Sequence, residues 1–150
     1  MIKKVESDAA DLIIYTDGVS RGNPGDAGIG VILKDSSGKV VDEIGRYIGI
    51  ATNNIAEYSA LVAALKSALR HKAGCIKIFS DSELMVKQMN GEYRVKNGDI
   101  AILFKEAQTF LKRVKGQGSR VVITHIPREE NKEADKLANR AVNLHFGMEK

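Results

Sequence analysis

The sequence predicts an α/β domain, a mixed β-sheet with helices on its faces. Three observations lead to it: an apolar, β-branched run at 12–17, two strand-like segments between 28 and 48 about a reversal, and a later succession in which strands give way to amphipathic helices. A hairpin opening such a succession implies strands of both orientations. Periodicity leaves the strand order open.

Taken in order, LIIYTD at 12–17 reads as a buried strand that runs into Gly18, and the Gly-rich loop Arg21-Gly22-Asn23-Pro24-Gly25 follows. GIGVILK at 28–34 and VVDEIGRYI at 40–48 are strands joined by Asp35-Ser36-Ser37-Gly38, a composition that favours a turn. From Asn53 to Arg70, Leu61, Ala64, Leu65 and Ala68 recur at helical spacing, with Thr52 or Asn53 available as the cap. CIKIF at 75–79 is a strand leading to Ser80-Asp81-Ser82, after which Leu84, Met85 and Met89 predict a short helix ending near Gly91. Residues 99–115 place Ile100, Leu103, Phe104, Ala107, Leu111 and Val114 on one helical face and Lys105, Lys112, Arg113 and Lys115 elsewhere. VVITHI at 121–126 is the last strand, and Ala134, Leu137, Ala138 and Ala141 mark a closing helix that begins near Asn131.

A length of 150 residues with 43% hydrophobic content suits one domain over 1–150, with residues 1–11 as a short N-terminal extension. The single cysteine, Cys75, excludes an intramolecular disulfide framework and points to a reducing compartment, and no Cys/His spacing resembles a zinc site. The opening MIKKVESDAAD holds no secretory apolar stretch, and nowhere do eighteen apolar residues run together. A soluble, cytoplasmic protein without membrane association is expected. Twenty-three Lys and Arg against nineteen Asp and Glu give a formal charge of +4, compatible with a polyanionic partner without requiring one.

Asp17 and Asp81 each directly follow an apolar strand, which in an open α/β sheet puts both at the carboxyl edge where ligands gather. Glu57 precedes Leu61 by one turn and so shares the core-facing side of its helix, and Asp135 adjoins the apolar stripe of the last helix. Singly, each has a plainer use: Asp81 as a helix cap, Glu57 as a partner of the helix dipole, Asp135 as a solvated surface group. Together they would repel unless a hard cation, Mg²⁺ or Mn²⁺, neutralised them. Hydrolysis of a phosphodiester by two such ions, roughly 4 Å apart, needs a bridging acid and flanking acids.

Four ordered blocks carry a further likeness: TDGVSRGNPGDAGIG at 16–30, TNNIAEYSAL at 52–61, SDSELMVKQMNGEYRVKN at 80–97 and HIPREENKEADKLAN at 125–139. Over nearly its whole length the chain resembles type 1 ribonuclease H. The resemblance implies a ribonuclease H-like fold, a five-stranded mixed sheet whose first three strands are antiparallel. It implies endonucleolytic cleavage of the RNA strand of an RNA/DNA hybrid using two Mg²⁺ ions, with Mn²⁺ as a substitute; a monomer is expected. The metal-binding acids of the family fall on Asp17, Glu57, Asp81 and Asp135, with Asp17 as the bridging ligand.

Substrate contact is implied for Asn23, for Thr52, Asn53 and Asn54, and for Gln88, groups able to meet minor-groove edges, phosphates and ribose hydroxyls. A loop histidine of the family has its counterpart in His125, while Arg128 in the following segment could instead meet a phosphate. Both stand as candidates. The stretch between Asp81 and Asn97 leaves no room for the basic protrusion of the fuller form, and only eleven residues precede the first strand, too few for an N-terminal hybrid-binding module. Substrate affinity then falls to Lys and Arg of residues 94–115 or elsewhere. Two other functions fit the same fold: a DNA-cutting nuclease, or a hybrid-binding module without catalysis.

Overall fold

The computed structural model describes residues 11–147. Apart from Asp11, the expected N-terminal extension lies outside the described residues. The chain runs β1 (Leu12–Arg21), β2 (Gly25–Asp35), β3 (Val40–Ala51), α1 (Asn53–Leu69), β4 (Cys75–Ser80), α2 (Glu83–Met89), α3 (Gly98–Gly116), β5 (Arg120–His125), a 3₁₀ turn (Arg128–Glu130) and α4 (Lys132–His145). These strands form one sheet in the order β3-β2-β1-β4-β5. The first three are antiparallel, whereas β4 pairs parallel with both β1 and β5.

Each predicted element is present, and the differences lie at its ends. The first strand does not stop at Asp17 but continues to Arg21, because its outer half stays paired with β2 from Asp17↔Gly30 to Arg21↔Asp26. On its other side, pairing with β4 ends at Thr16↔Ser80. Asp17 and Asp81 are therefore the first residues past the point where the two parallel strands part. The carboxyl-edge expectation holds on that side of β1 alone.

Central position explains the apolar character of β1 and β4, since Ile14, Ile76 and Ile78 have no exposed surface. They pack with Ile29, Val31 and Leu33 of β2 and with Leu61 and Leu65 of α1 into the main core, which Ile100, Ala107, Leu111 and Val114 of α3 close. In the hairpin between β2 and β3, Asp35 Oδ1 accepts from the Ser37 and Lys39 amides and from the Ser37 hydroxyl.

Two glycines let helices approach the sheet. A Cβ on Gly18 would run into the backbone of Ala56 and Glu57 in α1, and one on Gly30 into Ala134 and Ala138 of α4. Gly30 lies opposite Asp17 and Gly18 opposite Ile29, so the two contacts are on opposite faces of the sheet. α1 and α4 thus sandwich the outer half of β1, each bringing an acid towards Asp17. Among the described residues no helix is long and apolar enough to cross a membrane.

Candidate metal and nucleic-acid site

Asp17, Glu57 and Asp81 meet where β1 and β4 diverge, with one carboxylate oxygen from each lying within 4.8 Å of the others. Asp17 is only 4% exposed. The Gly18 amide donates to Oε1 of Glu57 at 3.2 Å, a bond made possible by the absence of a side chain at 18. Asp135 stands outside the three-acid group but lines the same cavity of about 370 Å³. There its carboxyl hydrogen-bonds Asp17 and adds its charge.

The cluster is electrostatically strained. Burial, followed by the charges of Glu57 and Asp81 and by Asp135, pushes the Asp17 carboxyl from 3.8 up to about 9. Burial and the Asp81 charge push Glu57 from 4.5 up to about 8, against the opposing pull of the Gly18 amide and Arg128. Oxygen donors that resist ionising side by side form a set suited to a hard divalent cation, whose charge would relieve them. Asp81 does not cap α2: Ser82 does, accepting from the Met85 amide at 3.3 Å, and Asp81 is left to the cluster.

The polar residues expected at the substrate gather around the start of α1. Thr52 is its cap, accepting from the Ile55 amide at 3.2 Å. Asn23 Oδ1 accepts from the Asn53 amide at 3.0 Å, tying the β1–β2 turn to the helix. Asn53 and Asn54 line the acidic cavity. Gln88 sits apart, in a neighbouring cavity of about 680 Å³ that Asn54, Tyr93, Arg94 and Lys96 also line. Arg128 lines the acidic cavity and its charge acts on Glu57, whereas the charge of His125 acts on Glu83 at the start of α2. The eight residues 90–97 between α2 and α3 form no helix, so no basic protrusion stands there.

Residues 15–141 match the sequence profile of the family described as reverse transcriptase-like. Ribonuclease HI of Halobacterium salinarum is 41% identical over 86% of this chain and 63% of its own length. The bifunctional protein Rv2228c of Mycobacterium tuberculosis is 39% identical over 88% of this chain and 35% of its own. The structure of LC11-RNase H1 in complex with RNA/DNA hybrid superposes with a TM-score of 0.80 at 40% identity, covering 91% of this chain and 99% of that one. The chain belongs to the ribonuclease H family. It spans about two thirds of the Halobacterium relative and one third of the mycobacterial one.

Within this ribonuclease H fold two residues with no expected site role prove to be built into the site. Asn131, only 1% exposed, makes no side-chain cap bond at the start of α4. Its Nδ2 turns inward to the Thr16 carbonyl at 2.8 Å and to Asp81 at 3.4 Å. Among the described residues its Oδ1 is the one buried side-chain polar atom without a protein partner. Tyr58, next to Glu57, is 1% exposed and donates its hydroxyl to Gln88. An asparagine four residues before Asp135 was the available signal for the first; nothing in the sequence distinguished the second.

Proposed function

We propose that the chain is an endoribonuclease that hydrolyses the RNA strand of RNA/DNA hybrids at two divalent cations, Mg²⁺ or Mn²⁺. Asp17, Glu57, Asp81 and Asp135 would hold the cations, and Asp17 is the ligand they would share. One observation carries this reading: three carboxylates converge within 4.8 Å on a strand edge, and two are forced far above their ordinary pKa. A divalent cation bound there would let both carboxyls ionise at neutral pH, where without one they keep their protons. The LC11-RNase H1 structure, whose bound partner is an RNA/DNA hybrid, supports the choice of substrate.

The cations supply Lewis-acid stabilisation of the charge that builds on the phosphate oxygens. The protein contributes alignment. Gly18 and Asn131 hold Glu57 and Asp81 in place through the bonds already described. Arg128, the cation that faces the acids, meets the scissile phosphate, and His125 has no part in the chemistry. Asn23, Thr52, Asn53 and Asn54 receive the RNA strand around the start of α1, where ribose hydroxyls distinguish RNA from DNA. Gln88 and the basic wall of the larger cavity receive the rest of the hybrid. The enzyme works as a monomeric catalytic domain in the cytoplasm.

The test is cleavage of a hybrid with each strand labelled in turn, beside duplex DNA and duplex RNA, with Mg²⁺ or Mn²⁺. Cutting confined to the RNA of the hybrid, and lost in Asp17→Asn and Asp81→Asn proteins that still melt cooperatively, is the expected result. Cleavage of duplex DNA would instead identify a DNA nuclease of the same fold, and binding without cleavage a silent hybrid-binding module.

A further inference from the structure

The larger cavity contains a bond that determines which end of an amide it shows. Tyr58 donates its hydroxyl to Gln88 Oε1 at 2.7 Å. The ring cannot swing away, because it is buried in the main core with Phe104 edge-on at a centroid distance of 6.5 Å. Gln88 is 8% exposed and makes no other side-chain hydrogen bond among the described residues. Its Nε2 is not among the buried atoms lacking a partner, so it reaches open space, and the space that Gln88 borders is this cavity. A carbonyl oxygen held from behind by a phenol leaves the two N–H donors of the amide facing outward.

We propose that Tyr58 is a positioning residue that fixes the polarity of Gln88, so that the cavity offers a donor pair to hydrogen-bond acceptors on the minor-groove edge of a bound nucleic acid. Purine N3 and pyrimidine O2 are such acceptors at every base pair, so the contact reads groove shape without reading sequence. An amide free to flip would present its carbonyl to those same acceptors about as often and gain nothing. The neighbouring Arg94 and Lys96 add attraction for phosphates on either side. This inference rests on the hybrid-binding reading above, but concerns binding and not cleavage.

The experiment measures hybrid affinity by fluorescence anisotropy in EDTA, where no cutting occurs, for the wild type and for Tyr58→Phe, Gln88→Ala and the double variant. Tyr58→Phe keeps the ring and removes only the hydroxyl. It should weaken binding roughly 3- to 10-fold, the worth of one oriented neutral hydrogen bond. In the double variant the loss should equal that of Gln88→Ala alone. Replacing adenine by 3-deazaadenine, first in one strand and then in the other, should weaken wild-type binding but leave Tyr58→Phe unaffected. Steady-state cleavage should show the loss chiefly in KM. A Tyr58→Phe protein that melts lower yet binds hybrid like the wild type overturns the inference, as does an equal further loss in the Gln88→Ala background. Failure of the wild type to cut would refute the proposed function while the binding series still decides the role of Tyr58.

Discussion

The side-chain amide of Asn131 donates to the carbonyl oxygen of Thr16 at 2.8 Å, joining residues 115 positions apart. That carbonyl belongs to the last residue of β1 still paired with β4, and the same amide reaches Asp81 on the far side of the gap. Asn131 therefore spans the fork from which Asp17 and Asp81 emerge. Asn131→Ala should raise the Mg²⁺ concentration for half-maximal cleavage by roughly 10- to 150-fold, since losing a buried hydrogen bond to a charged group costs about 1.5–3 kcal/mol. Mg²⁺ titration of cleavage alongside thermal melting checks this, and an unchanged cation requirement would place Asn131 outside the site.

The carboxyls impose a pH dependence on the metal-free protein. Asp17 and Glu57 are raised in the folded state, from 3.8 and 4.5 to about 9 and about 8, so folding takes up protons between these limits. Their contribution to stability is complete below about pH 4 and is lost as pH rises through 8 to 9. Melting in EDTA should therefore fall in temperature from pH 5 towards pH 9. Asp17→Asn should flatten the slope and exceed the wild type at pH 9. Added Mg²⁺ should restore the wild type, with protons released on binding that calorimetry in buffers of different ionisation enthalpy would count.

Gly30 sets how closely α4 lies on the sheet. A methyl at this position meets the backbone of Ala134 and Ala138, which no rotamer can relieve. Gly30→Ala should cost roughly 3 kcal/mol, lowering the melting temperature by about 10 °C. By displacing α4 it should also weaken cation binding. Retained stability together with retained Mg²⁺ affinity would mean that α4 can shift without consequence for Asp135.

Arg128 and His125 differ in what their charges reach: the first acts on Glu57 and lines the acidic cavity, the second acts on Glu83. Arg128→Ala should lower kcat roughly 100-fold, the scale of a charged group acting on a developing phosphate charge. His125→Ala should stay within about 3-fold of the wild type, as expected of a residue without a part in proton transfer. The reverse order in single-turnover cleavage would return the role to the histidine.

Much of this was legible beforehand. Strands and helices followed from residue periodicity, and α1 could be bounded because Thr52 is a good cap. Asp17 could be placed at an edge because an apolar run precedes it, but the run does not say on which side of the strand the edge lies. That depends on β4 arriving beside β1, a pairing between residues over sixty positions apart. Asn131 read as the start of a helix, its usual duty, and its inward turn depends on a carbonyl 115 residues away. The ring of Tyr58 fills the core as buried aromatic rings commonly do, and only its hydroxyl has other work. The stacking of His145 on Tyr47, ring centroids 3.7 Å apart, likewise joins residues that no local pattern connects.

The placement of α4 after every other element of the fold has a consequence for synthesis. Asp17, Glu57 and Asp81 leave the ribosome early, and two helices and a strand follow before Arg128, Asn131 and Asp135 emerge. Until then the fork between β1 and β4 has no cross-tie and the Gly30 face of the sheet is bare. A nascent chain can therefore collect three acids without the groups that align them, and the acidic cluster is complete only once the last helix has docked.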